Sequence, residues 1–259
     1  ASGAPIPGPL LDAPVRDLLR DREGRLWALT SGLGVFRIDP GTGAHRHYRH
    51  DPSAPGSLPA DRGIVLFQDA EGTLWLGTDD GLAEWRAAAD AFVTYRHHPA
   101  RPDSLSNDRV LALFQDRSGV LWVGTANGLD RSHPHGTAFT QFTDGTPDPF
   151  RLANAMVSAL AEAPGGSLWV GTYGGGLDRL DPRTGIVERL RHDPEDPGSL
   201  PDDRIMALLA ERDGTLWVGT RGGGLALREP GSRSFRRLSA GSGPGQPSSE
   251  AISALLDDV

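Results

Sequence analysis

Short apolar runs, each followed by glycine-rich turns, recur along the chain at a fixed interval. Val110 to Phe114 and Ile205 to Leu209 are almost wholly apolar, which predicts strands buried on both faces. An acid-x-x-Gly group follows each run. There the carboxylate can cap backbone amides while glycine supplies a positive φ. Next comes Leu-Trp-Val-Gly-Thr or a close variant, whose alternation sends Trp to one face and Val to the other. The glycine inside it (Gly77, Gly124, Gly171, Gly219) predicts close backbone approach by a neighbouring sheet. A glycine-rich turn leads to a third segment such as Gly176 to Leu180. The turn Asp181-Pro-Arg-Thr-Gly185, matched by Asp39-Pro-Gly-Thr-Gly43, then opens a fourth, Ile186 to Leu190.

The framework tryptophans Trp27, Trp75, Trp122, Trp169 and Trp217 stand 48, 47, 47 and 48 residues apart. Gly24, Gly72, Gly119, Gly166 and Gly214 lie three before them; Thr30, Thr78, Thr125, Thr172 and Thr220 lie three after. Asp21, Asp69, Asp116 and Glu211 lie six before, and the fourth copy has Ala163 instead. Four strands per period of this length predict an all-β fold, a β-propeller of four-stranded antiparallel blades with Trp as the wedge between sheets. After a lead-in over 1–14, the expected blades run over about 15–62, 63–109, 110–155, 156–204 and 205–251. Residues 252–259 begin a sixth, so the chain reads as part of a larger propeller.

Composition narrows the chemistry. The net charge of −8 argues against nucleic acid and anionic membranes as partners. All 26 basic residues are Arg and there is no Cys, so lysine Schiff bases, a P-loop lysine, thiol nucleophiles and Cys-type zinc sites are excluded within this chain. No apolar run approaches 18 residues, and 1–10 lacks the pattern of an intact signal peptide. There is no Gly-x-Ser-x-Gly, Walker or His-Glu-x-x-His sequence.

Leu-Trp-Val-Gly-Thr, then Gly-Gly-Leu, Asp-Pro-x-Thr-Gly, an Arg-His-Asp-Pro block and Ser-Leu occur in that order. Together they make the chain, from about Val15 to Val259, resemble the two-component regulator propeller repeat family. The resemblance implies a periplasmic sensor ectodomain of an inner-membrane protein. Its partners would be downstream signalling domains of the same protein, a histidine kinase or diguanylate cyclase, with homodimerisation through flanking domains. Family ectodomains usually hold seven blades per propeller, against the five and a part found here.

Loops leading into the first strand, and turns joining the second and third, share one end of a blade; that end is the expected ligand surface. The lead-in loops carry Asp61-Arg62, Asp108-Arg109 and Asp203-Arg204. Their guanidinium groups could grip carboxylates or sugar hydroxyls, or pair locally with Asp. The turns vary between copies. Tyr173 could stack a sugar ring, and Arg221, Asp79, Asp80 and Asn127 could bond its hydroxyls. The repeated His50, His97 and His192 read as structural. His45 with His47, and His133 with His135, have the i, i+2 spacing of strand metal ligands but no third ligand nearby, so no metal or other cofactor is expected. Trp85, outside the frame, reads as core filling or as a contact face. The function expected is ligand sensing, of a small molecule or oligosaccharide, without catalysis. The alternatives are a lyase or hydrolase acting on a glycan or cyclic peptide, resting on His133, His135 or Glu250, and a protein-interaction scaffold.

Overall fold

The computed structural model describes residues 8–11, 13–132, 138–238 and 249–256. One helical turn, Gly8–Leu11, precedes the strands. The first sheet is β1 (Val15–Arg20), β2 (Leu26–Thr30), β3 (Val35–Ile38) and β4 (His45–Tyr48). The second is β5 (Gly63–Gln68), β6 (Leu74–Thr78), β7 (Gly81–Arg86) and β8 (Ala91–Tyr95). The third is β9 (Val110–Gln115), β10 (Leu121–Thr125), β11 (Gly128–Ser132) and β12 (Phe139–Phe142). The fourth is β13 (Val157–Glu162), β14 (Leu168–Thr172), β15 (Gly176–Asp181) and β16 (Gly185–Leu190). The fifth is β17 (Ile205–Ala210), β18 (Leu216–Thr220), β19 (Leu225–Arg228) and β20 (Arg236–Leu238). Every sheet pairs its strands in chain order, the up-and-down meander of a propeller blade. The chain divides into two compact units, Ala1–Val123 with Arg131–Thr140 and Gly124–Asp130 with Gln141–Val259.

The repeated residues close each blade in a way their types explain. In the first turn, Asp21 accepts the Arg25 amide with one carboxylate oxygen and the Trp27 indole N–H, at 2.7 Å, with the other. Asp69 does the same for Thr73 and Trp75, and Asp116 for Val120 and Trp122. Glu211 takes the Trp217 indole. One carboxylate therefore fixes both the turn and the ring. In the fourth blade, where Ala163 removes the acid, the Trp169 ring lies beneath the guanidinium groups of Arg179 and Arg228. Trp27, Trp122 and Trp169 are buried; Trp75 and Trp217 are half-buried.

The invariant Thr closes the next turn. Each Thr hydroxyl donates to a glycine carbonyl three or four residues on, at 2.8–3.0 Å in all five blades. It also accepts a turn amide, as Thr172 does from Gly175 at 3.1 Å. Thr172 is fully buried. Thr172→Val keeps the shape and leaves the buried Gly175 amide without a partner, so it should lower stability by about 1–3 kcal/mol in urea unfolding.

Two expectations need correction. The first strands are not buried on both faces: β9 and β17 alternate buried with half-buried residues, and β1 is mostly exposed. Each is the outer strand of its sheet, so one side has no strand partner within the blade. The strand glycines admit side chains, not backbone alone. A Cβ on Gly171 would lie 2.6 Å from Ile205 Cγ2, and one on Gly77 would lie 2.7 Å from Val110 Cγ1. The first strands of the third and fifth blades thus insert a β-branched side chain where glycine leaves room. Between the first two blades the sizes are exchanged: Leu29 stands in the glycine place, and a Cβ on Gly63 would lie 2.2 Å from Leu29 Cγ.

Inside the first unit, Trp27, Tyr48, Trp85 and Phe92 form one aromatic cluster. Arg37 lies over three of these rings and pairs with Asp90. Trp85 is therefore core, and a contact-face role is excluded by its burial. In the second unit, Leu177, Leu200, Ile205 and Val218 anchor the core around Trp169. At the C-terminal end, Ile252 donates its amide to Thr220 and packs against Gly219.

Candidate functional site

The lead-in loops and the second-to-third strand turns are hydrogen-bonded to each other. The Asp79 amide donates to the Arg62 carbonyl, and the Arg221 amide to the Arg204 carbonyl. Arg204 also bridges Tyr173 of the preceding blade. The predicted residues therefore gather at the same end of their blades, in two groups.

In the first unit, Asp79 lies between two guanidinium groups. Arg62 Nη1 stands 3.1 Å from one carboxylate oxygen. Arg109 Nε stands 3.1 Å from the other, at an angle that makes an ion pair and not a hydrogen bond. Asp80 faces the other way and pairs with Arg96 at 3.0 Å. Asn127, in the second unit, is exposed, with its amide on Thr125.

In the second unit, Arg204 forms a fork with Asp202, Nη2 to Oδ2 at 2.6 Å. Burial pushes the Asp202 carboxyl up, but its bonds from Arg204 outweigh that and hold it below the usual range. Arg221 donates to the Tyr173 hydroxyl, and its guanidinium lies 5.6 Å from the centre of the Tyr173 ring. Both turns read Gly-Gly-Gly after the large residue. Arg62, Arg109 and Arg204 are all committed to Asp. Arg221 has no acidic partner among the described residues.

The repeated histidines are structural. His50, His97 and His192 each place Nδ1 at 2.7–2.8 Å from a leucine carbonyl (Leu58, Leu105, Leu200). Their amides donate to Asp61, Asp108 and Asp203, the acids of the lead-in Asp-Arg pairs. His47 stacks on Phe36 and bonds the Leu33 carbonyl. His133 and His135 lie outside the described residues. Among those described, no three His, Asp or Glu converge as metal ligands.

Two features escaped sequence reasoning. Asp178 is fully buried on β15, accepts the Ala153 amide at 2.7 Å and has Arg189 Nε at 3.6 Å. Desolvation raises its carboxyl above the ordinary range. Glu84 on β7 is also buried, where Tyr95 and Arg86 donate to it. Burial, then that bond, pushes Tyr95 up to about 12. The available signal was departure from the repeat: the same places carry Ala226 and Leu227 in the fifth blade.

The profile of the two-component regulator propeller family matches residues 9–32, 104–127 and 199–222. The latter two spans run from the Ser-Leu of a lead-in loop to the turn after Leu-Trp-Val-Gly-Thr. No curated protein is a significant sequence match. Among solved structures, the chain is similar to the extracellular domain assigned to a one-component system of B. thetaiotaomicron, with TM-score 0.68 and 23% identity over 89% of this chain and 31% of that one. An extracellular domain assigned to a hybrid two-component system of the same organism gives 0.64 and 19%, over 93% and 37%. Virginiamycin B lyase from Staphylococcus aureus gives 0.64 and 16%, over 92% and 73%. The chain spans about a third of the length of the two extracellular domains. At these identities the likeness is one of fold, the β-propeller.

Proposed function

The chain carries two-component regulator propeller repeats, and on that premise we propose that it is a non-catalytic ligand-recognition module of an extracytoplasmic bacterial signalling protein. The ligand is a small molecule or oligosaccharide, taken at the Tyr173–Arg221 pair. One observation carries the site: Arg221 is a guanidinium fixed over an aromatic ring without a carboxylate to neutralise it. Such a group offers parallel N–H donors to a carboxylate, sulfate or pair of hydroxyls, beside a ring that stacks a sugar face. Signalling follows when a ligand binds one arrangement of the parent protein better than another, by the difference of the two affinities. The periplasm is the compartment this reading implies.

Calorimetric titration with acidic and neutral oligosaccharides tests the site. A ligand should be found whose affinity falls at least tenfold in Arg221→Ala, in keeping with loss of a charge-assisted bond. Arg204→Ala, which breaks only a surface pair with Asp202, should change it little. Equal losses in both variants, or none in either, would overturn this assignment.

A further inference from the structure

One framework place lacks its acid in the fourth blade. In blades one to three an aspartate there divides its carboxylate oxygens between two donors. Asp21 takes the Arg25 amide and the Trp27 indole, Asp69 the Thr73 amide and Trp75, Asp116 the Val120 amide and Trp122. In blade five Glu211 takes the indole. Blade four has Ala163. The frame around it is kept. Ala163 donates its amide to the Ser167 carbonyl at 2.7 Å, and its carbonyl accepts the Gly166 amide at 3.3 Å, as Asp21 does with Arg25 and Gly24. Trp169 stands opposite Ala161 as Trp27 stands opposite Leu19. Both donors therefore remain without the acceptor: neither the Ser167 amide nor Trp169 Nε1 has a hydrogen-bond partner among the described residues. Trp169 is 5% exposed, yet its N–H, unlike that of Trp85, is not sealed from solvent.

The turn over this place is open. A Cβ on Gly165 or Gly166 would meet nothing within 4 Å, whereas one on Gly24, Gly72, Gly119 or Gly214 would meet a side chain. What separates alanine from aspartate is one carboxylate group, the size of formate. The frame is shaped for two oxygens in a plane, not for a tetrahedral oxyanion. Charge favours an anion too. Arg179 and Arg228 lie 5.8 and 5.1 Å from the centre of the Trp169 ring and share the single carboxylate of Glu188. In blade one burial works against the charge of Asp21, but its bonds from Trp27 and Arg25 outweigh that and hold the carboxyl below the usual range. The same pair of donors thus holds a carboxylate in its ionised form. We infer that blade four carries a binding site for a small monocarboxylate of formate or acetate size, one oxygen accepting from Trp169 Nε1 and the other from the Ser167 amide. The inference stands apart from the Tyr173–Arg221 reading, since Tyr173 follows the far end of β14.

Titration of the nitrogen-labelled whole chain with sodium formate and sodium acetate, followed by NMR through the indole N–H signals, tests it. Sodium chloride at matched ionic strength serves as the control. One indole signal, identified as that of Trp169 by its loss in Trp169→Phe, should shift saturably with at least one of the two acids. For three or four non-hydrogen atoms a dissociation constant of about 1 mM is expected. Ala163→Asp supplies the carboxylate from within, as blades one to three do, and should weaken the response at least tenfold. Ala163→Asn, uncharged and of the same shape, should do so too, so the answer does not hang on the folding of one variant. Arg221→Ala should leave the response unchanged. No saturable shift with either acid, an equal shift in chloride, a response that persists in both Ala163 variants, or its loss in Arg221→Ala would each overturn the inference.

Discussion

Ile205→Gly will cost about 4 kcal/mol in urea unfolding, and Gly171→Leu added to it will return part of that loss. Ile205 is fully buried in the second unit's core. Removing its side chain loses the transfer energy of four carbons and opens a cavity, and glycine adds backbone entropy to the unfolded chain. Gly171→Leu alone is also destabilising, by about 1–3 kcal/mol, because its Cβ would meet Ile205 Cγ2 at 2.6 Å. Each defect is the other's remedy. Gly171 pairs across the sheet with the small Ala159 on one side and with Leu177 on the other, so the room for a leucine is the space that Ile205 vacates. The chain already holds this exchanged arrangement in Leu29 and Gly63. A double-mutant cycle should give a coupling of about 1–3 kcal/mol in the favourable direction. Strict additivity would show that the two positions do not share one space.

Asp178→Ala should cost about 2 kcal/mol, and Ala153→Pro should rescue it. The buried carboxylate is the acceptor for the Ala153 amide. Without it the N–H is left unmet; with proline at 153 there is no N–H to meet. The repeats state this rule themselves. Pro59 and Pro201 occur in the lead-in loops of blades whose third strands carry Ala83 and Ala226; Ala153 and Ser106 occur with Asp178 and Asp130. Ala153→Pro alone should be worse than the double variant, since it strips a buried carboxylate of its hydrogen bond. The same residue gives a pH dependence. Its folded carboxyl is raised by desolvation. Its share of stability is therefore full below the unfolded carboxylate range near pH 4. That share falls as pH rises until the folded group has ionised too. Asp178→Asn keeps an acceptor for Ala153 and should remove that fall. A profile unchanged in Asp178→Asn would assign the slope to another group, such as Asp17, which desolvation also raises.

The strand count, the sheet order and the burial of the central tryptophans were readable because periodicity marks them five times over. The role of the acid six residues before Trp was half legible. Turn capping follows from Asp-x-x-Gly chemistry, but the second oxygen's bond to the indole needs the fold to bring ring and turn together. The Thr at the end of each second strand was visible as a constant and silent as to cause. Its hydroxyl works only once the chain has doubled back. At the site, the two loop sets were correctly expected at one end of the blades. Which arginine keeps its donors was not, since Asp202 and Asp79 find their partners through loop geometry. Asp178 and Glu84 were hidden for a different reason: an acid in a third strand looks like a solvent-facing residue until the Ala153 amide of the lead-in loop, or Tyr95 of the next strand, is brought onto it.

The exchange of bulk between Leu29 and Gly63 bears on how near-identical modules find their proper neighbours. A chain of similar repeats risks docking the wrong pair during folding. Leucine set against an isoleucine-bearing strand would collide, and glycine set against glycine would leave a void. The first module thus accepts the second and rejects the fifth, which makes the order of assembly a property of side-chain volume as well as of chain connectivity.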